Sequence, residues 1–357
     1  MSAAVIDDLN RMREIDKQGM IDLVVGFPEQ CERAAGLAEE WMPKSGLGGK
    51  PDVVVVCGLG GSAIAGDMAA AVYADVLGCA MLTNRDYNLP AFVGSKSLVI
   101  CESYSGNTEE TLSAYDDARR RGSKVVCITS GGKLAENARR DGVDLVLVPG
   151  GQPPRSATGY MFVPMMFVFE KLGVARGALD KLSGAIDLLK HAREEWRPES
   201  GSSGNRAKQL ALDLFGKIPL IYGSVGITGV TAFRWKCQIN ENAKAHSFAN
   251  VLPEFNHNEI MGWEGAAAQS GGFAAVFIRD ASDTSRIAER IRITSKIIPE
   301  DFPVHDVAVE GANALEKLLW GFYLGDFMSV YLAICYGVNP TSIAAIDRLK
   351  AELAKLP

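Results

Sequence analysis

SLVICESYSGNTEET, residues 97–111, passes from an apolar run to a cluster of hydroxyls within a few residues. Residues 97–101 are apolar enough to be buried on both faces, as a central strand of a parallel sheet is. Directly afterwards Ser103, Ser105 and Thr108 surround Gly106, where a helix over residues 109–121 is expected to begin. Hydroxyls and free N–H groups at a helix N-terminus are donors suited to phosphate oxygens. An ordinary helix start, with Asn107 and Glu110 at capping-box spacing, accounts for a polar residue or two but less easily for three hydroxyls.

On either side, residues 53–57, 124–129 and 144–148 repeat the buried-strand pattern, and residues 63–76 and 134–140 have helical spacing. Alternation of this kind builds a doubly wound parallel sheet. The apolar pattern fails near residues 193–204, where WRPESGSSGN has the composition of a linker or exposed loop. Beyond it, strands at 218–222, 273–278 and 306–309 and helices near 231–244, 284–297 and 312–336 give a second unit of the same kind. The expected organisation is an N-terminal helical segment (1–45), a first α/β domain (46–190) and a second (191–357) that includes C-terminal helices and a tail. A chain of 357 residues is long enough for two such cores.

Composition narrows the functional classes. Hydrophobic residues make up 47% and charged residues 22%, and the formal charge of −6 comes with Lys and Arg spread along the chain, which argues against nucleic acid and anionic membranes as partners. Seven cysteines without a CxxC pair fit reduced thiols. The start, MSAAVIDDLN, lacks the charged and apolar regions of a secretory signal, so a cytoplasmic chain beginning near Met1 is expected. Residues 320–338 are nearly all apolar, but Asp326 interrupts them and Lys317 is the one close basic flank, so a buried core helix is expected instead of a membrane span. Glu170 qualifies residues 159–172 in the same way. His191, His246, His257 and His305 show no HxH or HExxH spacing, and no metal or other cofactor is expected.

GLGGSAIAGDM (58–68) is a second strand-to-helix turn with anion-binding character. Gly58, Gly60 and Ala63 also meet the GxGxxA form of the dinucleotide fingerprint. That fingerprint wants an acidic residue at the end of the next strand; here Asp86 is displaced and Arg85 would suit only a 2′-phosphate. Two hydroxyl-bearing turns at neighbouring strand ends fit a phosphorylated ligand better.

Residues 234–260 hold Glu241, Lys244, His246, Glu254 and His257 in one polar stretch. A carboxylate and a second acid/base group are what proton transfer between C1 and C2 of a sugar, with ring opening, requires. A solvated helix-end glutamate and a loop histidine are the plain alternatives.

With GLGGSAIAGDM, RDYNLP, SYSGNTEET, PPRSATGY, NEN and FNHNEI in place, the chain resembles the bifunctional phosphoglucose/phosphomannose isomerase family of the SIS (sugar isomerase) superfamily. The resemblance implies two SIS-type domains, each a mainly parallel, flavodoxin-like sheet flanked by helices. It implies that Gly60, Gly61 and Ser62 line the sugar and that Ser103, Ser105 and Thr108 hold the phosphate. It makes Glu241 the enediol base, His257 a ring-opening group and Arg155 the charge that steadies the enediolate. Near the C-terminus it points to Thr341, which gives room for either C2 epimer, and to Lys350 at the ring oxygen, with Arg348 competing for that place. A homodimer in which His257 reaches the partner's site is also implied. The reaction implied is metal-free interconversion of glucose 6-phosphate and mannose 6-phosphate with fructose 6-phosphate through a cis-enediol. Two other classes stay open: a non-catalytic sugar-phosphate-binding protein, and an NADP-dependent oxidoreductase using Gly58 to Ala63.

Overall fold

The computed structural model describes residues 5–44, 46–265, 272–353 and 355. Helices α1 (Leu9–Ile15), α2 (Met20–Val25) and α3 (Phe27–Glu40) precede the first sheet. Strands β1 (Val53–Cys57), β2 (Ala80–Asn84), β3 (Ser97–Ser103), β4 (Lys124–Thr129) and β5 (Asp144–Leu147) alternate with α4 (Gly60–Val72), α5 (Glu109–Arg120) and α6 (Gly132–Arg140). They form a parallel sheet of order β2-β1-β3-β4-β5. After α7 (Thr158–Leu172), α8 (Leu182–Trp196) and α9 (Arg206–Leu214) comes a second parallel sheet. Its strands β6 (Ile218–Ser224), β7 (Phe248–Leu252), β8 (Phe273–Arg279) and β9 (Val304–Ala308) lie in the order β7-β6-β8-β9. Helices α10 (Ile227–Gln238), α11 (Ser285–Ile297), α12 (Ala314–Tyr336) and α13 (Ala344–Leu353) complete the chain.

Both sheets therefore have the doubly wound topology expected from the alternation. Every residue of β1 and β3 is buried, because helices cover both faces. The two strands that the sequence did not announce, β2 and β7, are sheet edges with partly exposed residues, so their apolar signal is diluted.

One core runs between the sheets, combining Val54 and Ile100 with Ile221, Val276, α7 and α12, and separate clusters lie on the outer face of each sheet. Helix α12 is long and apolar enough to cross a bilayer, yet 94% of its most apolar window is buried inside the protein. Its ends are set by Asn313, whose side chain accepts from the Leu315 and Glu316 N–H groups, and by Gly337 in the left-handed conformation.

The expected division at 190/191 falls inside α8, and the expected linker starts later than the composition suggested. The helix continues to Trp196 because that side chain is buried and packs edge-on against Trp320 at 5.1 Å, while Arg193 pairs with Glu29 at 2.7 Å. A polar sequence here covers the outside of a helix that is apolar within.

Strand order fixes where a ligand fits. In each sheet the chain moves from its first strand outward to one side and then crosses to the other, so a crevice opens between the carboxyl ends of β1 and β3 and of β6 and β8. The turns 58–62 and 103–108 meet at the first of these.

Candidate active site

The two turns of the first crevice are joined through Ser62. Its buried hydroxyl accepts the Tyr104 N–H at 3.2 Å, while its own proton is left for another acceptor. Gly61, at the start of α4, has no room for a side chain: a Cβ there would stand 2.7 Å from the Pro154 carbonyl and 3.3 Å from Arg155 Cα. The first turn is thus pressed against the residue expected to steady negative charge. Gly60 lies beside it in a left-handed conformation, with open space where a Cβ would stand.

In the second turn, Ser103 is buried and Thr108 partly so, and their hydroxyl oxygens lie 2.8 Å apart, sharing one proton between them. Ser105 is exposed, and its oxygen accepts the Asn107 N–H at 3.3 Å. Gly106 makes the bend with φ +68°, and a Cβ there would fall 1.8 Å from the Gly131 carbonyl oxygen, so no other residue fits. The capping-box explanation does not hold. The N-cap of α5 is Thr108, whose side chain makes no cap bond, and Asn107 instead accepts the Lys133 N–H of the neighbouring turn at 3.1 Å. The first N–H groups of a twelve-residue helix therefore stay available beside three hydroxyls, an arrangement suited to a phosphate.

Arg155, beyond β5, and Glu241, between β6 and β7, meet. Glu241 lies in a single π-helical turn, Ile239–Ala243, that continues α10, and such turns recur at functional sites. Its side chain is 30% exposed, and Oε2 stands 3.6 Å from Arg155 Nη1. Arg155 is buried at 3% exposure. Its Nε donates to Asn242 Oδ1 at 2.7 Å, and Nη2 donates to the carbonyls of Pro340 at 2.5 Å and Thr341 at 3.1 Å. Burial pulls its pKa below the ordinary arginine value, and Glu241 opposes that shift.

The same cluster holds Thr341 and two residues that the motif reading did not single out for a role. The Thr341 hydroxyl oxygen is buried without a hydrogen-bond partner among the described residues. Asn242 grips Arg155 on one side and donates to Ser329 Oγ of α12 at 2.9 Å on the other. Lys244 ends the π turn, and burial, reinforced by Arg155, pushes its pKa down to about 8. The signal for Asn242 was its place in NEN; for Lys244 it was only local polar density.

Behind the site, Asp326 accepts from Arg234 Nε and Nη2 at 3.0 and 2.9 Å and from Gln238 at 2.8 Å, all buried. Arg234 Nη2 also donates to the Arg155 carbonyl at 2.7 Å. The carboxylate that breaks the apolar run of α12 thus braces the backbone of Arg155.

His257 and Lys350 are not brought to this cluster. His257 lies on a 3-10 turn, Glu254–His257, exposed and with no side-chain hydrogen bond or ion pair to any described residue. Lys350 and its competitor Arg348 lie on α13, which buries none of its residues. Arg85, which an NADP site would need, is ion-paired with Asp67 and lies over the Phe233 ring at 5.7 Å.

The corresponding crevice of the second sheet has a cavity of about 320 Å³ lined by Ser224, Thr228, Asp280 and Asp283. There Ser224 Oγ donates to Asp283 Oδ1 at 2.7 Å, so a carboxylate already takes the hydroxyl that a phosphate would use. The first crevice, without such a carboxylate on Ser103 or Thr108, is the better anion site despite the cavity in the second.

Comparison with known proteins bears on the same region. Residues 203–353 match the family described as the bacterial phospho-glucose isomerase C-terminal SIS domain. A protein of Caldicellulosiruptor bescii named bifunctional phosphoglucose/phosphomannose isomerase is 42% identical over 338 residues, 94% of this chain and 99% of the relative. A D-glucosamine-6-phosphate 4-epimerase of Sulfolobus acidocaldarius is 34% identical over 84% of this chain and 88% of its own. Among solved structures, a glucose-6-phosphate isomerase like protein from Thermus thermophilus superposes with a TM-score of 0.62, at 19% identity, over 95% of this chain and 98% of that one.

Proposed function

The chain belongs to the bifunctional phosphoglucose/phosphomannose isomerase family, and on that footing we propose that it interconverts glucose 6-phosphate and mannose 6-phosphate with fructose 6-phosphate through a cis-enediol. The observation that carries the reading is a continuous strip: Ser103 and Thr108, then Tyr104 on Ser62, then Gly61 on Arg155, then Arg155 beside Glu241. One end suits a phosphate and the other suits proton transfer next to developing negative charge.

In this reading Ser103, Ser105, Thr108 and the first N–H groups of α5 hold the phosphate, and Gly60, Gly61 and Ser62 line the sugar. Glu241 removes the proton from C2 of the aldose and returns it to C1. The negative charge that develops on the C1–C2 oxygens faces the Arg155 guanidinium, held rigid before the reaction begins. Thr341 leaves room for either epimer at C2. Ring opening falls to His257 and Lys350, and the exposed, unpartnered His257 suits a homodimer in which it serves the site of the other subunit. The family resemblance supports a cytoplasmic enzyme of hexose phosphate metabolism, at the step that glycolysis and gluconeogenesis share.

The test is fructose 6-phosphate offered to wild type, with glucose 6-phosphate and mannose 6-phosphate followed separately. Formation of both aldoses is expected. A parallel arm offers glucosamine 6-phosphate and looks for its C4 epimer, the reading favoured by the similarity to the epimerase. Turnover in that arm alone would overturn the isomerase assignment. Mixing inactive Glu241→Gln and His257→Ala chains tests the dimer, because shared sites predict recovered activity and self-contained sites predict none.

A further inference from the structure

Lys244 has φ +55°, and among the described residues it is the one non-glycine residue with positive φ. An L side chain enters that conformation at a cost, so something must hold it there. Its ammonium has three N–H donors and three carbonyl acceptors: Glu241 at 2.5 Å, Pro340 at 3.0 Å and Asn242 at 3.3 Å. Two of these belong to the π turn that carries Glu241. The third precedes Thr341 and also accepts from Arg155 at 2.5 Å. Two cations therefore converge on the Pro340 carbonyl.

We propose that Lys244 is a positioning residue whose ammonium staples the Glu241 turn to the Thr341 segment, so that base, guanidinium and epimer-facing threonine share one frame. The inference rests on the isomerase reading. With its three donors engaged, Lys244 has none left to give the substrate, which separates this role from proton transfer.

The charged groups facing the ammonium are the Arg155 guanidinium, which opposes its charge, and the Glu241 carboxylate, which favours it. The 340–341 segment adds a carbonyl and no titratable group. Only the ammonium makes charge-assisted bonds to all three carbonyls, so the staple holds below the pKa of about 8 and is lost as pH rises through it.

The experiment measures kcat and KM from pH 6 to 10 for wild type, Lys244→Met and Lys244→Arg, with thermal melts for all three. Lys244→Met is expected to lower kcat by roughly 10- to 100-fold, the usual scale for a displaced catalytic group. KM should move much less. Lys244→Arg should recover most of kcat and shift the alkaline limb of the profile upward. Wild-type kcat in Lys244→Met, or the same alkaline limb in wild type and Lys244→Arg, would overturn the proposal. Should Lys244→Met melt too early to assay, the limb of Lys244→Arg decides. A wild type without isomerase activity overturns both this inference and the reading beneath it, whereas an active wild type with an unaffected Lys244→Met overturns this inference alone.

Discussion

Arg155 and Glu241 face each other at 3.6 Å without a hydrogen bond between them. The attraction orients the carboxylate but leaves its lone pairs free to take a proton, because Arg155 Nε and Nη2 are engaged by Asn242, Pro340 and Thr341 while Nη1 stays beyond hydrogen-bond reach of Glu241. A lysine would keep the charge and lose the fork that reaches all three. Arg155→Lys should therefore lower kcat by about 10²-fold, the scale of one lost oxyanion donor, with a smaller change in KM. Steady-state kinetics with fructose 6-phosphate check this, and a near-normal kcat would remove Arg155 from the chemistry.

The brace behind Arg155 should be as sensitive as the site. Asp326→Asn leaves the Arg234 guanidinium buried without its counter-charge, which should cost about 3–5 kcal/mol of stability. Urea denaturation measures it. Replacing both partners with apolar residues, as Arg234→Met with Asp326→Leu, should restore much of the stability. It should not restore kcat, because the hydrogen bond to the Arg155 carbonyl is lost as well.

Ser105 is exposed, so Ser105→Ala tests the phosphate turn without disturbing the core. Loss of one hydrogen bond to a charged group costs about 1.5–3 kcal/mol, or roughly 10- to 150-fold in KM. The kcat should change less, since the contact is the same in ground and transition states. Inorganic phosphate should compete with substrate in wild type and more weakly in this variant.

Much of this was legible in the sequence because the central strands are buried on both faces and read as apolar runs, Val53–Cys57 and residues 125–128 among them. The edge strands β2 and β7 were not legible, since half-exposed strands carry mixed residues. The run interrupted by Asp326 was read as a buried core helix, but nothing local could name Arg234, the partner of Asp326 across the core. The meeting of Arg155 with Glu241, Pro340 and Thr341 was equally invisible to spacing, because three distant segments are brought together by tertiary packing. Lys244 stood out only once its left-handed backbone and its carbonyl partners were seen.

Glu102, one residue before Ser103, is fully buried with neither carboxyl oxygen hydrogen-bonded to a described residue, and burial pushes its pKa well above the ordinary value. The folded protein thus keeps a proton that the unfolded chain releases near pH 4.3, so stability falls as pH rises above that point, by up to about 1.4 kcal/mol per unit. The fall continues until the raised folded pKa is passed. Glu102→Leu removes the titration. Its stability relative to wild type should be greatest at pH 8 and shrink toward pH 4, as followed by chemical denaturation, and a gap that does not change with pH would contradict the assignment.

The claim that Glu241 moves a proton through an enediol is tested most directly by incubating fructose 6-phosphate in D2O with wild type or Glu241→Gln and reading the products by NMR. Wild type should give glucose 6-phosphate and mannose 6-phosphate with deuterium at C2, since a proton held on a carboxylate exchanges with solvent. Glu241→Gln, correctly folded, should give neither. Aldoses formed without deuterium, or formed by Glu241→Gln as fast as by wild type, would contradict it.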